Sequence, residues 1–325
     1  PDGYGGTDLY VSEFKGGYWN EPVNLGPIIN TRGNEIYPYI NPLGELLFSS
    51  DGHPGIGGKD IYLTRNINNA WLKPVALDEP VNSEYDDFGI ATDTFMYEGY
   101  FSSKRDGSFD IYHFSTLVPQ VFYKSDQREN NYCFRFSDSD SIEVDTTRLT
   151  YRWIIENSKK DGIEIEHCFN GPGEYKIILE ITDRTTDDLF FRKAEYNLDV
   201  KKIVQAYIES PRLISKNKNV IFNGLESNLP DFKILDYTWD MGDGTRKKGE
   251  SINHSYPDTG VYEVSLLLSL RSQKNGTPAR TSVTKEVRVV NSGPEKQFYE
   301  EEAALRKKPY LDPEKSKNAQ LEVIY

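Results

Sequence analysis

The string GGTDLYVS at residues 5–12 returns as GGKDIYLT at 57–64 and as GSFDIYHF at 107–114. A chain that repeats itself at a fixed spacing builds equivalent units that bury their apolar faces on one another, so this feature constrains the first third more than any other. The lag from Asp8 to Asp60 is 52 residues, and Trp19, Pro22, Leu25 and Asn30 recur at that lag as Trp71, Pro74, Leu77 and Asn82. FSSDGH at 48–53 is echoed by FSSKRDG at 101–107. Within one period the strand signals are YPYIN (37–41), LLFSS (46–50), DIYLTR (60–65) and PVAL (74–77), separated by PLG and DGHPGIGG. Asp8, Asp60 and Asp110 each open a third strand, where a carboxylate accepts hydrogen bonds from the preceding Gly-rich turn.

Four short strands in about 50 residues describe one propeller blade, and residues 1–117 resemble TolB-like, WD-repeat-like blades. Only two strands of one blade, one whole blade and three strands of another are present, whereas a ring closes with about 4 to 8 blades. The expectation is therefore a partial β-propeller, an incomplete ring whose intact form carries at least two more copies upstream of Pro1. The missing N-terminal part is expected to supply the fourth strand after Phe114.

The rest of the chain also reads as strands. Its 22 Tyr, 16 Phe, 25 Gly and 17 Pro in 325 residues favour short strands and tight turns, so the expected class is all-β. With 51 Asp plus Glu against 38 Lys plus Arg, the net charge of -13 repels a phosphate backbone, and nucleic acid is excluded as a partner. The longest apolar run, Val264 to Leu270, falls short of the roughly 20 residues a membrane helix needs, so the chain is not expected to span a bilayer.

A second duplication follows residue 117. YRWIIENS (151–158) with HCFNGPGEYKIILEI (167–181) parallels YTWDMGDG (237–244) with HSYPDTGVYEVSLLL (254–268). Trp153 to His167 is 14 residues and Trp239 to His254 is 15; the later Tyr follows Trp by 22 and 23. Each copy suits a two-sheet sandwich with one Trp in its core. The phrase WDMGDG followed by the His, Tyr and Gly framework resembles the polycystic-kidney-disease (PKD) type of immunoglobulin-like domain at residues 203–291. In that reading Trp239 fills the core, Asp240 and Asp243 fix a turn, and Gly242 and Gly244 supply positive φ. Residues 118–202 form a degenerate PKD-like copy, with IIENS in place of DMGDG.

No catalytic constellation stands out. There is no His-Glu-x-x-His, nucleophile elbow, phosphate loop or Cys-x-x-Cys. His167 and His254 occupy equivalent framework positions. Asp240 and Asp243 alone fall short of the usual 6 to 8 oxygen ligands of Ca²⁺, and SDSDS (137–141) reads as a solvated loop. No metal or cofactor is expected. In NYCFRF, Tyr132, Phe134 and Phe136 point inward and Cys133 outward; Cys168 also faces out on a neighbouring strand. Either a disulfide joins them or both are free thiols. The tail, 292–325, offers a short helix at EKQFYEEEAALRKK and a terminal strand whose Leu321, Val323 and Tyr325 line one face, fit to bind a partner's sheet edge.

Blades followed by PKD-like sandwiches resemble large envelope proteins of Bacteroidota, some with an OmpA-type peptidoglycan-binding domain and linked to type IX secretion and gliding. The resemblance implies a non-catalytic periplasmic or outer-membrane-associated scaffold that binds envelope proteins in a larger complex, with peptidoglycan contacted through a further C-terminal domain. The rival expectation is a secreted polysaccharide- or peptide-degrading enzyme whose catalytic part lies elsewhere.

Overall fold

The computed structural model describes residues 3–117, 119, 124–137, 149–183, 189–305, 310–313, 316 and 319–324. Asp138–Ser141 of the acidic loop and Tyr325 therefore lie outside the described residues.

The 52-residue repeat is a repeat of register. Strands Glu35–Ile40, Glu45–Ser50 and Asp60–Ile67 form an antiparallel sheet, with Ala70–Trp71 and Val75–Ala76 on its outer side. Tyr62 pairs with Ala76 and Leu63 with Val75; one period earlier Tyr10 pairs with Asn24 and Val11 with Val23. The hairpins repeat too, Phe14 opposite Trp19 and Asn66 opposite Trp71. The next sheet, Asp87–Thr92, Glu98–Ser103 and Asp110–Ser115, ends at its third strand. Each first strand bulges at the same place: Tyr37 (φ 53°) and Gly89 (φ 60°) are 52 residues apart, at the register shifts against Glu45–Ser50 and Glu98–Ser103. Leu47, Ile61, Leu63, Ile90, Phe101 and Phe114 form one core across the two sheets. Among the described residues the sheets do not close into a ring.

Two sandwiches follow. In the second, a five-stranded sheet runs in the order Leu213–Ser215, Pro278–Val290, Gly260–Ser272, Phe232–Asp240, Arg246–Lys248, facing the pair Val220–Asn223 and Ser251–His254. Along Phe232–Asp240 a register shift between Ile234 and Asp236 moves the core-facing positions from Phe232 and Ile234 to Tyr237 and Trp239, and Trp239 is fully buried in a core with Phe222, Tyr256 and Leu266. The first sandwich pairs Cys133–Ser137 with Glu164–Cys168 against the sheet Ser158–Asp161, Leu149–Ile155, Gly173–Asp183, Leu189–Val200, Ala319–Ile324.

The chain divides into two interleaved units, Pro1–Gln127 with Ala206–Asn291, and Arg128–Gln205 with Ser292–Tyr325. The tail thus belongs to the first sandwich. After the helix Pro294–Leu305, Leu311 exchanges backbone hydrogen bonds with Cys133 (2.9 Å) and Arg135 (2.8 Å). Ala319–Ile324 then pairs with Leu189–Val200, placing Leu321 opposite Leu198 and Val323 opposite Tyr196. The terminal strand is spent first on the chain's own sheet, of which it is the outermost member.

Candidate functional site

Most of the carboxylates and imidazoles singled out by sequence hold turns. Asp8 Oδ2 accepts from Tyr4 N (2.7 Å) and Asn24 Nδ2 (2.8 Å), and Asp60 Oδ2 from Gly57 N (3.1 Å). Burial, and then Asp87 and Asp86 nearby, raise the Asp60 carboxyl above its ordinary value against the opposing pull of the Gly57 amide. Asp110 is exposed and accepts from the Ser108 hydroxyl, at 2.6 Å. The repeated asparagines carry more of the structure than the aspartates do. Asn30 Oδ1 accepts from Leu9 N (2.8 Å) and its Nδ2 donates to Leu9 O (3.0 Å); Asn82 clamps Ile61 in the same way, at 2.8 and 2.9 Å. Both side chains are buried, and a side-chain amide carries a donor and an acceptor on separate atoms without bringing a charge into the core.

The two sandwiches share their Trp hydrogen bond and their ring contacts. Trp239 Nε1 donates to Gly249 O (2.7 Å) and Trp153 Nε1 to Gly162 O (2.9 Å). His254 lies edge-on to Tyr256, which stacks on Tyr262; His167, Phe169 and Tyr175 repeat the arrangement. Asp240 accepts from Gly242 N (3.0 Å), Asp243 from Thr245 N (2.9 Å), and Gly242 and Gly244 have φ of 78° and 86°. The second Asp243 oxygen meets His254 Nε2 at 2.8 Å. Partial burial pushes the Asp243 carboxyl up, but the Thr245 amide and His254 outweigh it and hold it below its ordinary value. In the degenerate copy the carboxylate of Glu156 stands near His167 without hydrogen-bonding it, Oε2 lying 3.6 Å from Nε2. Cys133 and Cys168 stand opposite each other and are joined by a disulfide. Among the described residues no three His, Cys, Asp or Glu side chains cluster as metal ligands.

The feature that motif reading missed lies on the outer face of the second sandwich. Thr238, Ser265, Ser269, Ser282 and Thr284 alternate away from the Trp239 core, a face that in a free-standing antiparallel sheet meets water. Here all five are buried: Tyr97 of the repeat sheets meets Thr238 and Ser269, and Ser125 and Asp126 of the connecting segment meet Ser282 and Thr284. Tyr97 Oη lies 3.0 Å from Thr238 Oγ1 and 3.2 Å from Ser269 Oγ, with Lys248 Nζ 3.8 Å from its ring centre. Met96, at φ 62°, turns the chain so that Phe95 O accepts from Arg280 Nη1, at 3.4 Å. At the centre Glu45 Oε1 takes Arg280 Nη2 (2.7 Å) and Arg65 Nε (2.6 Å), while Asn41 Nδ2 donates to Oε2 (2.8 Å). The Arg280 and Glu45 side chains are 2% and 1% exposed. Burial raises the Glu45 carboxyl, yet Arg280 and Arg65 more than offset it and keep it below its ordinary value.

The connecting segment extends the joint. Ser125 O accepts from Thr284 N (2.8 Å) and Gln127 N donates to Thr284 O (2.9 Å), a short parallel addition to Pro278–Val290. Gln127 exchanges amide hydrogen bonds with Ile208 (2.6 and 3.2 Å), and Lys285 Nζ donates to Ile208 O and Ser210 O. A cavity of about 240 Å³ remains beside the joint, lined among others by Met96, Phe114, Lys124, Asp240, Arg246 and Leu267. The sequence carried a signal for this face: hydroxyl residues, where an exposed strand face usually carries charge.

Comparison with known proteins identifies residues 204–288 as a PKD domain. Collagenase ColA of Clostridium perfringens is 28% identical over 130 residues, covering 40% of this chain and 11% of the collagenase, so the chain spans about a tenth of that relative. The PKD1 domain of Vibrio anguillarum Epp is 27% identical and covers 26% of this chain and 93% of its own, with a TM-score of 0.20. The fibronectin(III)-like modules of Clostridium thermocellum CbhA are 13% identical over 52% of this chain and 93% of theirs, with a TM-score of 0.19. PKD domains are typical of extracellular and envelope proteins, and among the described residues no helix is long and apolar enough to cross a membrane.

Proposed function

We propose that this chain is a non-catalytic scaffold segment of a large cell-envelope protein, holding its repeat sheets and PKD domain as one body and binding protein partners with the surfaces so fixed. The buried joint around Glu45 and Arg280 carries the reading. A tethered accessory domain keeps its outer face wet and moves on a linker. Burying five hydroxyl residues and an ion pair instead fixes the angle between two domains, which matters where geometry is the product. The turn-holding roles of Asp8, Asp60, Asp240, Asp243 and His254 support the same reading, since groups committed to backbone amides and rings are not poised for proton transfer.

Within this proposal residues 1–117 are propeller blades, 118–202 a degenerate PKD-like sandwich, 203–291 the PKD domain and 292–325 a tail. The resemblance to Bacteroidota envelope proteins supports a place in the periplasm or at the outer membrane, in a type IX-like secretion or gliding assembly. Exposed aromatics such as Tyr18, Trp19, Tyr37, Tyr100 and Phe109 supply anchors for protein contacts, and Ala319–Ile324 offers an outermost edge. The test is affinity capture from envelope extract. The proposal expects a stable multiprotein complex; a lone monomer in every detergent extract contradicts it. The similarity to Collagenase ColA favours a second reading, an accessory region of a secreted degradative enzyme. Turnover of peptide or polysaccharide by the full-length protein selects that reading.

A further inference from the structure

The disulfide of the first sandwich stands where the tail comes to rest. Cys133–Ser137 pairs with Glu164–Cys168 from Cys133 opposite Cys168 to Ser137 opposite Glu164, so the covalent link lies at one end of this ladder. On its other side the same strand carries Leu311, whose N–H donates to Cys133 O (2.9 Å) and whose carbonyl accepts from Arg135 N (2.8 Å). Leu311 and Ala319 both pack on the core around Phe134 and Trp153. Ala319–Ile324 then pairs with Leu189–Val200 of the facing sheet. The tail therefore straps the two sheets together, and its first hold is the backbone on either side of Phe134.

The bond itself is open to attack. Cys168 is exposed and Cys133 half-buried, and among the described residues no strand pairs with the far edge of Glu164–Cys168. Exposed disulfides are the ones that exchange with thiols. The core survives such an exchange, because Phe134, Phe136 and Ile165 point inward at no more than 7% exposure and keep the two strands packed. What loosens is the Cys133 end, where beyond the disulfide the strands are held by the hydrogen bond from Phe169 N to Tyr132 O (3.0 Å). The ion pairs of Arg135 with Glu164 and Glu166 are exposed and contribute little. We propose that Cys133–Cys168 is a redox latch on the tail. Its reduction by a protein dithiol lets Leu311 and Ala319–Ile324 leave, and bares Glu195 to Val200 as a sheet edge that another strand can pair with. A thiolate of the dithiol attacks Cys168 Sγ, the S–S bond breaks, and Cys133 leaves as a thiolate that takes up a proton. The second thiolate of the dithiol then displaces Cys168, which is protonated in turn. Two electrons have passed to the cystine, and the dithiol ends as a disulfide. Exchange with a protein disulfide runs the same steps backward and docks the tail again. The latch goes beyond the scaffold reading and does not depend on it.

Hydrogen–deuterium exchange tests it on the whole chain, oxidised and after reduction by thioredoxin, with the intact mass showing the gain of two hydrogens. In the reduced chain the amides of Ala319–Ile324 exchange at least about tenfold faster. Those of Leu149–Ile155 in the same sandwich, and of Gly260–Ser272 in the PKD domain, keep their rates. A tail that stays protected in the reduced chain overturns the latch, as does a bond that thioredoxin leaves intact. Faster exchange spread through Leu149–Ile155 also overturns it, by showing a staple for the whole sandwich. Leu311→Ala supplies the second arm: with the disulfide intact it frees the same Ala319–Ile324 amides, and unchanged protection there contradicts the coupling through Leu311.

Discussion

Replacing Arg280 by Met keeps the aliphatic stem and removes the cation from the joint. Glu45 then faces Arg65 and Asn41 alone while still 1% exposed. Truncating one member of a buried pair costs about 3 to 5 kcal/mol. Because Arg65 remains in place, the lower end applies, about 3 kcal/mol. Glu45→Gln leaves the Arg280 and Arg65 cations side by side without their carboxylate and costs a similar amount. The two changes share one interaction, so the double variant falls short of the sum by about 1 to 3 kcal/mol. Urea unfolding followed through tryptophan fluorescence measures all three, Trp239 being the buried reporter on the PKD side. The pH dependence has a fixed sign. A folded-state pKa held below the unfolded value gives stability that is fully present above about pH 4.3 and lost as pH falls through the folded value. Single variants costing less than about 0.5 kcal/mol, or strict additivity, refute the claim that the joint is a coupled ionic contact.

Asp243→Asn keeps the acceptor for Thr245 N and loses the charge facing His254, so it costs about 1 kcal/mol, and added Ca²⁺ leaves the melting temperature unchanged in both proteins. Burial, then Lys160, hold His167 below its ordinary pKa against the pull of Glu156, so the first sandwich has its full His167 contribution above about pH 6.5 and loses it on acidification through the folded value. Thermal melts at stepped pH show this, and His167→Gln flattens the profile. Cys133→Ser with Cys168→Ser opens a loop spanning 35 residues and destabilises that sandwich by about 3 kcal/mol, read as a reduced urea midpoint.

Local features were legible in the sequence and long-range ones were not. The lag of 52 residues marked Asn30 and Asn82 as equivalent because each clamp closes on a strand 21 residues earlier within one repeat. Trp239 and the Asp240–Gly244 turn were readable because a short turn writes its φ requirements into adjacent residues. Glu156 escaped because the degenerate copy supplies its carboxylate one position closer to Trp153 than Asp243 stands to Trp239. The joint escaped because Glu45 and Arg280 are 235 residues apart and neither sits in a motif. The tail's return to the first sandwich escaped for the same reason: Leu311 meets Cys133 across an inserted domain.

The central claim is that the repeat sheets and the PKD domain form one rigid body. Spin labels at Tyr100→Cys and Val261→Cys, both exposed positions in that unit, report it directly by pulsed dipolar distance measurement. The native cysteines are committed to a disulfide and do not compete for label. A single narrow distance distribution that broadens on Arg280→Met is the predicted result. A broad or two-peaked distribution in the otherwise unaltered protein contradicts it.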